Sequence, residues 1–144
     1  MFIGEYLHSI DNKKRLAIPS RFRRELGESS ILTRGLDNCL FLYPIQEWHK
    51  FSEKLGQLSM GQANTRSFAR LILSGAVEVE FDNLGRILIP DYLKIYADLK
   101  KKIIVAGVLN RLEIWDQEKW ENYKKEIEKN TDAIAEKLGE LGLI

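Results

Sequence analysis

The residues with the most pronounced chemistry in this chain are basic and crowded together. Lys13-Lys14-Arg15 is followed by Arg21, Arg23 and Arg24, placing six positive charges within twelve residues. Such density suits a run of phosphates, and equally suits a solvated loop beside a helix start. An aspartate precedes each of two arginines by four residues, as Asp11 and Arg15 and again as Asp82 and Arg86. An arginine closing a tight turn presents a planar fork, able to meet guanine O6 and N7 or to grip a phosphate. Across the same turn the aspartate can orient that fork, or simply form an exposed ion pair worth under about 1 kcal/mol. Asp11 and Asp82 are read as turn-orienting, and Arg15, with two lysines beside it, as a DNA contact. Arg86, preceded by Asn83-Leu84-Gly85, is the weaker contact. Arg21 and Arg23 extend the footprint as candidates, although Arg21 and Arg24 can instead pair with Glu25 and Glu28 on a short helix.

Catalysis and metal binding have little to stand on. The two histidines, His8 and His49, belong to no His-Glu-x-x-His or Cys/His arrangement. There is no Gly-x-Ser-x-Gly elbow or phosphate-binding glycine loop. The single cysteine, Cys39, lies beside Leu40, Phe41 and Leu42, and reads as a buried structural thiol. No enzyme activity, cofactor, metal or small-molecule substrate is expected. Met1-Phe2-Ile3-Gly4-Glu5-Tyr6 has no basic-then-apolar pattern, so no signal peptide is expected, and no apolar run suggests a membrane span. A cytoplasmic protein is the expectation.

The elements that must position these residues come from an internal repeat. Asp11-Asn12-Lys13-Lys14-Arg15-Leu16-Ala17-Ile18-Pro19 matches Asp82-Asn83-Leu84-Gly85-Arg86-Ile87-Leu88-Ile89-Pro90 in register. With one residue inserted, the match runs on through Ile31/Ile103, Gly35/Gly107, Asn38/Asn110, Leu40/Leu112 and Trp48/Trp120. Each copy predicts two strands around an Asp-Asn turn, a second hairpin with Gly35 or Gly107 in its turn, then an amphipathic helix. Expected strands are 6–10, 15–18, 31–33 and 39–43, with 77–81, 86–89, 103–105 and 111–115 in the second copy. Pro44 opens a helix carrying Trp48, Phe51, Leu55 and Leu58. A second helix covers about 64–73, and Asp116 caps a long last one carrying Trp120, Tyr123, Ile127, Ile134, Leu138 and Leu141. The units divide as 1–60, a connecting helix 61–75, and 76–144. Charge divides as well, with eleven Lys and Arg against seven acids in residues 1–72, and eleven against fourteen beyond.

The tandem Asp-x-x-x-Arg units running into Ile-Pro resemble the bacterial MraZ proteins, transcriptional regulators of the division and cell-wall gene cluster. Met1-Phe2-x-Gly4-Glu5-Tyr6-x-His8-x-x-Asp11 is similar to that family's N-terminus, and Arg66-Ser67-Phe68-Ala69-Arg70-Leu71 through Ser74-Gly75-Ala76 to its middle helix. The resemblance covers essentially the whole chain. It implies an α+β fold of two tandem AbrB/SpoVT-type units forming a double swapped-hairpin barrel with peripheral helices. It also implies a ring-shaped homo-oligomer, nucleoid-associated, bound to repeated double-stranded DNA sites in a promoter. The family's DNA-contacting elements are the first-hairpin turns, which carries over to Asp11, Lys13, Lys14 and Arg15, and to Asp82 and Arg86. Lys14 departs from the pattern, because its position is usually glycine. Altered loop geometry and stronger non-specific affinity are the expected consequences. The competing reading is a protein-binding or antitoxin-like ring built on the same barrel, without sequence-specific DNA binding.

Overall fold

In the computed structural model, which describes residues 1–144, the two copies are interleaved strand by strand. The first contributes β1 (Phe2–Ser9), β2 (Arg15–Ala17), β3 (Ser29–Arg34) and β4 (Leu40–Pro44). The second contributes β5 (Val77–Glu80), β6 (Arg86–Leu88), β7 (Lys102–Leu109) and β8 (Arg111–Asp116). Six strands form one antiparallel sheet in the order β1-β7-β8-β4-β3-β5, and β2 and β6 form a separate two-stranded ribbon. That order reads the same from either end once each strand is exchanged for its repeat counterpart, so the copies are related by a pseudo-twofold between β8 and β4.

The strands flanking each Asp-Asn turn pair mainly with the other copy. The residue just past β1 meets β2 through a single bridge, Ile10 to Leu16. β1 instead pairs along its whole length with β7, from Phe2↔Leu109 to Ser9↔Lys102, and β5 pairs with β3. The second hairpins form as expected within each copy, β3 with β4 and β7 with β8. Gly107 is not in the second of these turns. It lies inside β7, where a Cβ would stand 2.5 Å from the Ile3 backbone nitrogen. Glycine is there because β1 crosses too closely for any side chain, and Leu109, with φ of 62°, takes the bend instead.

Side-chain alternation sorts two cores. Leu40 and Leu42 face a cluster shared with Leu16, Ile18, Ile87, Ile89, Ile103 and Leu112, drawn from both sheets. Phe41 and Tyr43 face the other way, against Cys39, Ile104, Ala106 and Trp115, with Trp48, Phe51 and Trp120 packed outside. The helices are α1 (Ser20–Leu26), α2 (Ile45–Gly56), α3 (Ala63–Gly75), α4 (Asp91–Tyr96) and α5 (Gln117–Glu140). Phe22 and Leu26 seat α1 in the first core, and Leu93 seats α4. α2 stops at Gly56, so Leu58 falls outside the predicted stripe and is exposed. Asp116 caps α5 by accepting from the Lys119 backbone N–H. No residue of α5 is buried, although Trp120 and Lys124 both bond to Glu5 of β1. No helix is long and apolar enough to cross a membrane.

Candidate nucleic-acid interface

The two Asp-Asn turns are built alike and lie side by side. In the first, Asp11 Oδ1 accepts from the backbone N–H groups of Lys13 and Arg15, both at 2.9 Å. In the second, Asp82 Oδ1 accepts from those of Leu84 and Arg86 at 2.9 and 3.0 Å. Backbone bonds close both loops, from Asp11 N to Arg15 O and from Asp82 N to Arg86 O. Each turn also docks on the other copy: Ile18 N donates to Gly85 O, and Ile89 N to Lys14 O. These are turns whose aspartates are needed in ionised form, and both carboxyls sit below the usual carboxylate range. In each case the backbone N–H of the arginine is the leading cause, opposed by partial desolvation and helped by arginine charge.

Lys14 takes the left-handed conformation, φ 62°, that Gly85 takes at 72°. The hydrogen bonds of the two turns are nevertheless the same, so the altered loop geometry expected from lysine at this position does not occur. The lysine bears local backbone strain instead of reshaping the loop. Its ammonium group does not stand free at the tip either. It pairs with Asp91 at the start of α4, where α4 itself is fastened by Tyr92 and Tyr96 hydroxyls donating to the Gly75 and Gly35 carbonyls.

Arg15 and Arg86 come together on one surface. The ribbon register sets Arg15 opposite Leu88 and Ala17 opposite Arg86, so those four residues share a face. Leu16 and Ile87 occupy the other face and are fully buried, which turns both arginines outward. Their surroundings differ. Arg86 Nε donates to Asp82 Oδ2 at 2.8 Å, and its Nη1 reaches Asp11 Oδ2 at 3.5 Å. The Asp82–Arg86 pair is therefore as expected, but Asp11 does not orient Arg15. Its free oxygen serves the arginine of the other copy, leaving the Arg15 guanidinium without a carboxylate.

The remaining basic candidates divide. Lys13 is exposed on the first turn. Arg21 Nη1 donates to the Tyr6 hydroxyl at 3.1 Å, whose ring packs edge-on against Phe22. Neither Arg21 nor Arg24 pairs with Glu25 or Glu28; Glu25 pairs with the Met1 ammonium group. Arg23 crosses to the second copy and lies over Gly85. Sequence reading misses this contact and the one to Asp91. The only signal for either was that the copies differ there, with Lys14 against Gly85 and Ser20 against Asp91. Cys39 is fully buried, and burial raises its thiol far above the ordinary range, as a structural cysteine requires.

Comparison with known proteins matches both copies. A family model described as "MraZ protein, putative antitoxin-like" matches residues 1–71 and again 72–140. A protein of Clostridium tetani named "Transcriptional regulator MraZ" is 51% identical over 143 residues, spanning 99% of this chain and 100% of its own. Proteins of the same name from Alkaliphilus metalliredigens and Natranaerobius thermophilus are 50% and 48% identical, spanning 99% and 96% of this chain and 100% and 96% of their own. With both repeat copies matched and half the residues identical along nearly the full length, this chain belongs to the MraZ family.

Proposed function

We propose that this chain is a DNA-binding transcriptional regulator that inserts the β2–β6 ribbon and its flanking turns into the major groove. The observation that carries this is the outward face of the ribbon, where Arg15 and Arg86 stand together over buried Leu16 and Ile87. A two-stranded antiparallel ribbon fits the major groove, and arginine is the side chain that reads guanine there. Lys13 and Arg15 make the leading contacts, since neither is held by a carboxylate. Arg86, neutralised by Asp82 and Asp11, contributes less, and Asp11 and Asp82 hold the turns. Lys14, a candidate contact from its place in the first turn, contributes little because its ammonium is tied to Asp91, and Arg21 and Arg23 extend the footprint toward the DNA backbone. The names of its relatives support the regulatory role.

The interleaved pairing of β1 with β7, β5 with β3, and β2 with β6 supports reading units 1–60 and 76–144, joined by 61–75, as one double swapped-hairpin barrel. In this reading the protein works in the cytoplasm at the nucleoid, as a ring of identical subunits on direct repeats in the promoter of the division and cell-wall gene cluster. A single subunit offers only a few phosphate contacts. Several subunits on spaced repeats make the later contacts intramolecular, raising avidity by about 10²–10⁴.

The test is to recover the genomic fragments the protein retains and read out their shared repeat. Wild type and Arg15→Ala are then titrated with such a fragment and with random duplex in a KCl series. Wild type should prefer the fragment; Arg15→Ala should lose that preference while light scattering shows the same assembly. Equal, weak binding of both proteins to both duplexes would refute the proposal.

A further inference from the structure

The second turn has no lysine, yet it does not lack a free cation. Arg23, from α1 of the first copy, reaches across so that its guanidinium covers Gly85 at the bend of the second turn. A Cβ at position 85 would lie 2.0 Å from Arg23 Nη1 and 2.4 Å from its Cζ. Gly85 is buried although the neighbouring Asn83 and Leu84 are exposed, which fits a residue roofed by another side chain. The carboxylates of these turns are no help to Arg23, because Asp82 and Asp11 are both engaged by Arg86. Arg23 Nε is the one buried side-chain nitrogen or oxygen in the molecule without a hydrogen-bond partner. The rest of the half-buried guanidinium has no acidic partner and keeps its charge available to an anion arriving from solvent.

Repeat symmetry sharpens the contrast between the turns. Arg23 corresponds to Lys94, and Gly85 to Lys14. In the first turn the cation at the bend grows from the turn itself, and its ammonium pairs with Asp91 at the start of α4. In the second turn glycine leaves that space open, and the cation arrives from the other copy. Each bend therefore has a cation associated with it, by different routes. Lys14 is tied to Asp91, whereas Arg23 has no such tie.

We infer that Arg23 is the phosphate-binding cation of the second turn, supplied in trans by the first copy and admitted only because residue 85 is glycine. The inference rests on the DNA-binding reading above and extends it to a turn that looks unarmed in sequence. A phosphate is the appropriate ligand because Arg23 lies on the bend's backbone while Leu84 occupies the exposed tip. From that place it reaches the strand flanking the groove and carries no sequence information.

The probe is a labelled random-sequence duplex, with binding followed by anisotropy across a KCl series. Proteins compared are wild type, Arg23→Lys, Arg23→Gln, Gly85→Ala and the Arg23→Gln/Gly85→Ala double variant, each checked by thermal melting. Arg23→Gln should flatten the slope of log affinity against log salt by about 0.9 for each phosphate it no longer neutralises, without lowering the melting temperature. Arg23→Lys should keep the wild-type slope. Gly85→Ala, which pushes the guanidinium aside, should flatten the slope as Arg23→Gln does and add nothing in the Arg23→Gln background. An unchanged slope in Arg23→Gln, with DNA binding intact in wild type, overturns the inference and leaves Arg23 as a brace between copies. Absence of salt-dependent binding by wild type would sink the DNA-binding reading and this inference with it.

Discussion

Lys14 is where the balance of local strain and side-chain pairing can be measured directly. Its φ of 62° puts a side-chain-bearing residue where glycine is at ease, a strain of about 1–2 kcal/mol. Its ammonium pairs with Asp91, but both side chains are substantially exposed, and such pairs contribute under about 1 kcal/mol. Lys14→Ala loses the pair and keeps the strain. Lys14→Gly loses the pair, relieves the strain, and loosens the unfolded chain by about 0.4–1 kcal/mol. The ion pair cancels when the two variants are compared, leaving glycine ahead by about 1 kcal/mol. For a chain of this size that is a melting temperature higher by roughly 3–5 °C, readable by circular dichroism at fixed salt. An alanine variant that melts at or above the glycine variant would show that the backbone at residue 14 is not strained. The same two proteins also test the ammonium group. Because Asp91 holds it, neither substitution should flatten the salt dependence of DNA binding by the roughly 0.9 expected when one phosphate is no longer neutralised.

Other consequences follow from the same geometry. Gly107→Ala should destabilise by about 1–3 kcal/mol, since its Cβ meets the backbone of Phe2 and Ile3, which has no rotamer to give; amide exchange should then be fastest along β1. Arg86→Ala should lower stability by about 1 kcal/mol through its two partly exposed carboxylate contacts and barely weaken DNA binding, while Arg15→Ala does the reverse. A larger DNA-binding loss from Arg86→Ala would reassign the dominant turn. Acid should loosen both turns, because the folded-state values of Asp11 and Asp82 are depressed. Their contribution is complete above the ordinary value of about 3.9 and is lost as pH falls through the folded value. The gap in melting temperature between wild type and Asp11→Asn should thus be constant near neutrality and close in strong acid; a gap that persists unchanged there contradicts the assignment.

Much of the candidate site is legible along the chain, because its frame is local. An Asx turn spans five residues, and Asp11 and Asp82 bond to backbone groups two and four positions on, so residue type and spacing suffice. Asp116 is likewise legible as a cap, since that signal operates over a few residues, whereas the continuous apolar run 39–43 leaves its two faces to be sorted by packing. Glycine misleads at Gly107 because two demands select it. A turn needs its conformational freedom and a backbone crossing needs its missing side chain, and sequence does not distinguish them.

The sequence by itself determined that there are two copies, where their Asp-Asn turns fall and which of those two turns carries lysine. Only the tertiary structure decided which partner each strand and each charge would take. β1 finds β7 about a hundred residues away because that pairing completes the sheet. Once the copies interleave, Asp11 lies beside Arg86 and Arg23 lies over Gly85, neighbours that no spacing along the chain encodes. A long side chain goes where folding leaves room and compensating charge, and both are properties of the packed molecule. The imbalance of charge between the two turns, evident in the sequence, is thereby reduced in the folded protein.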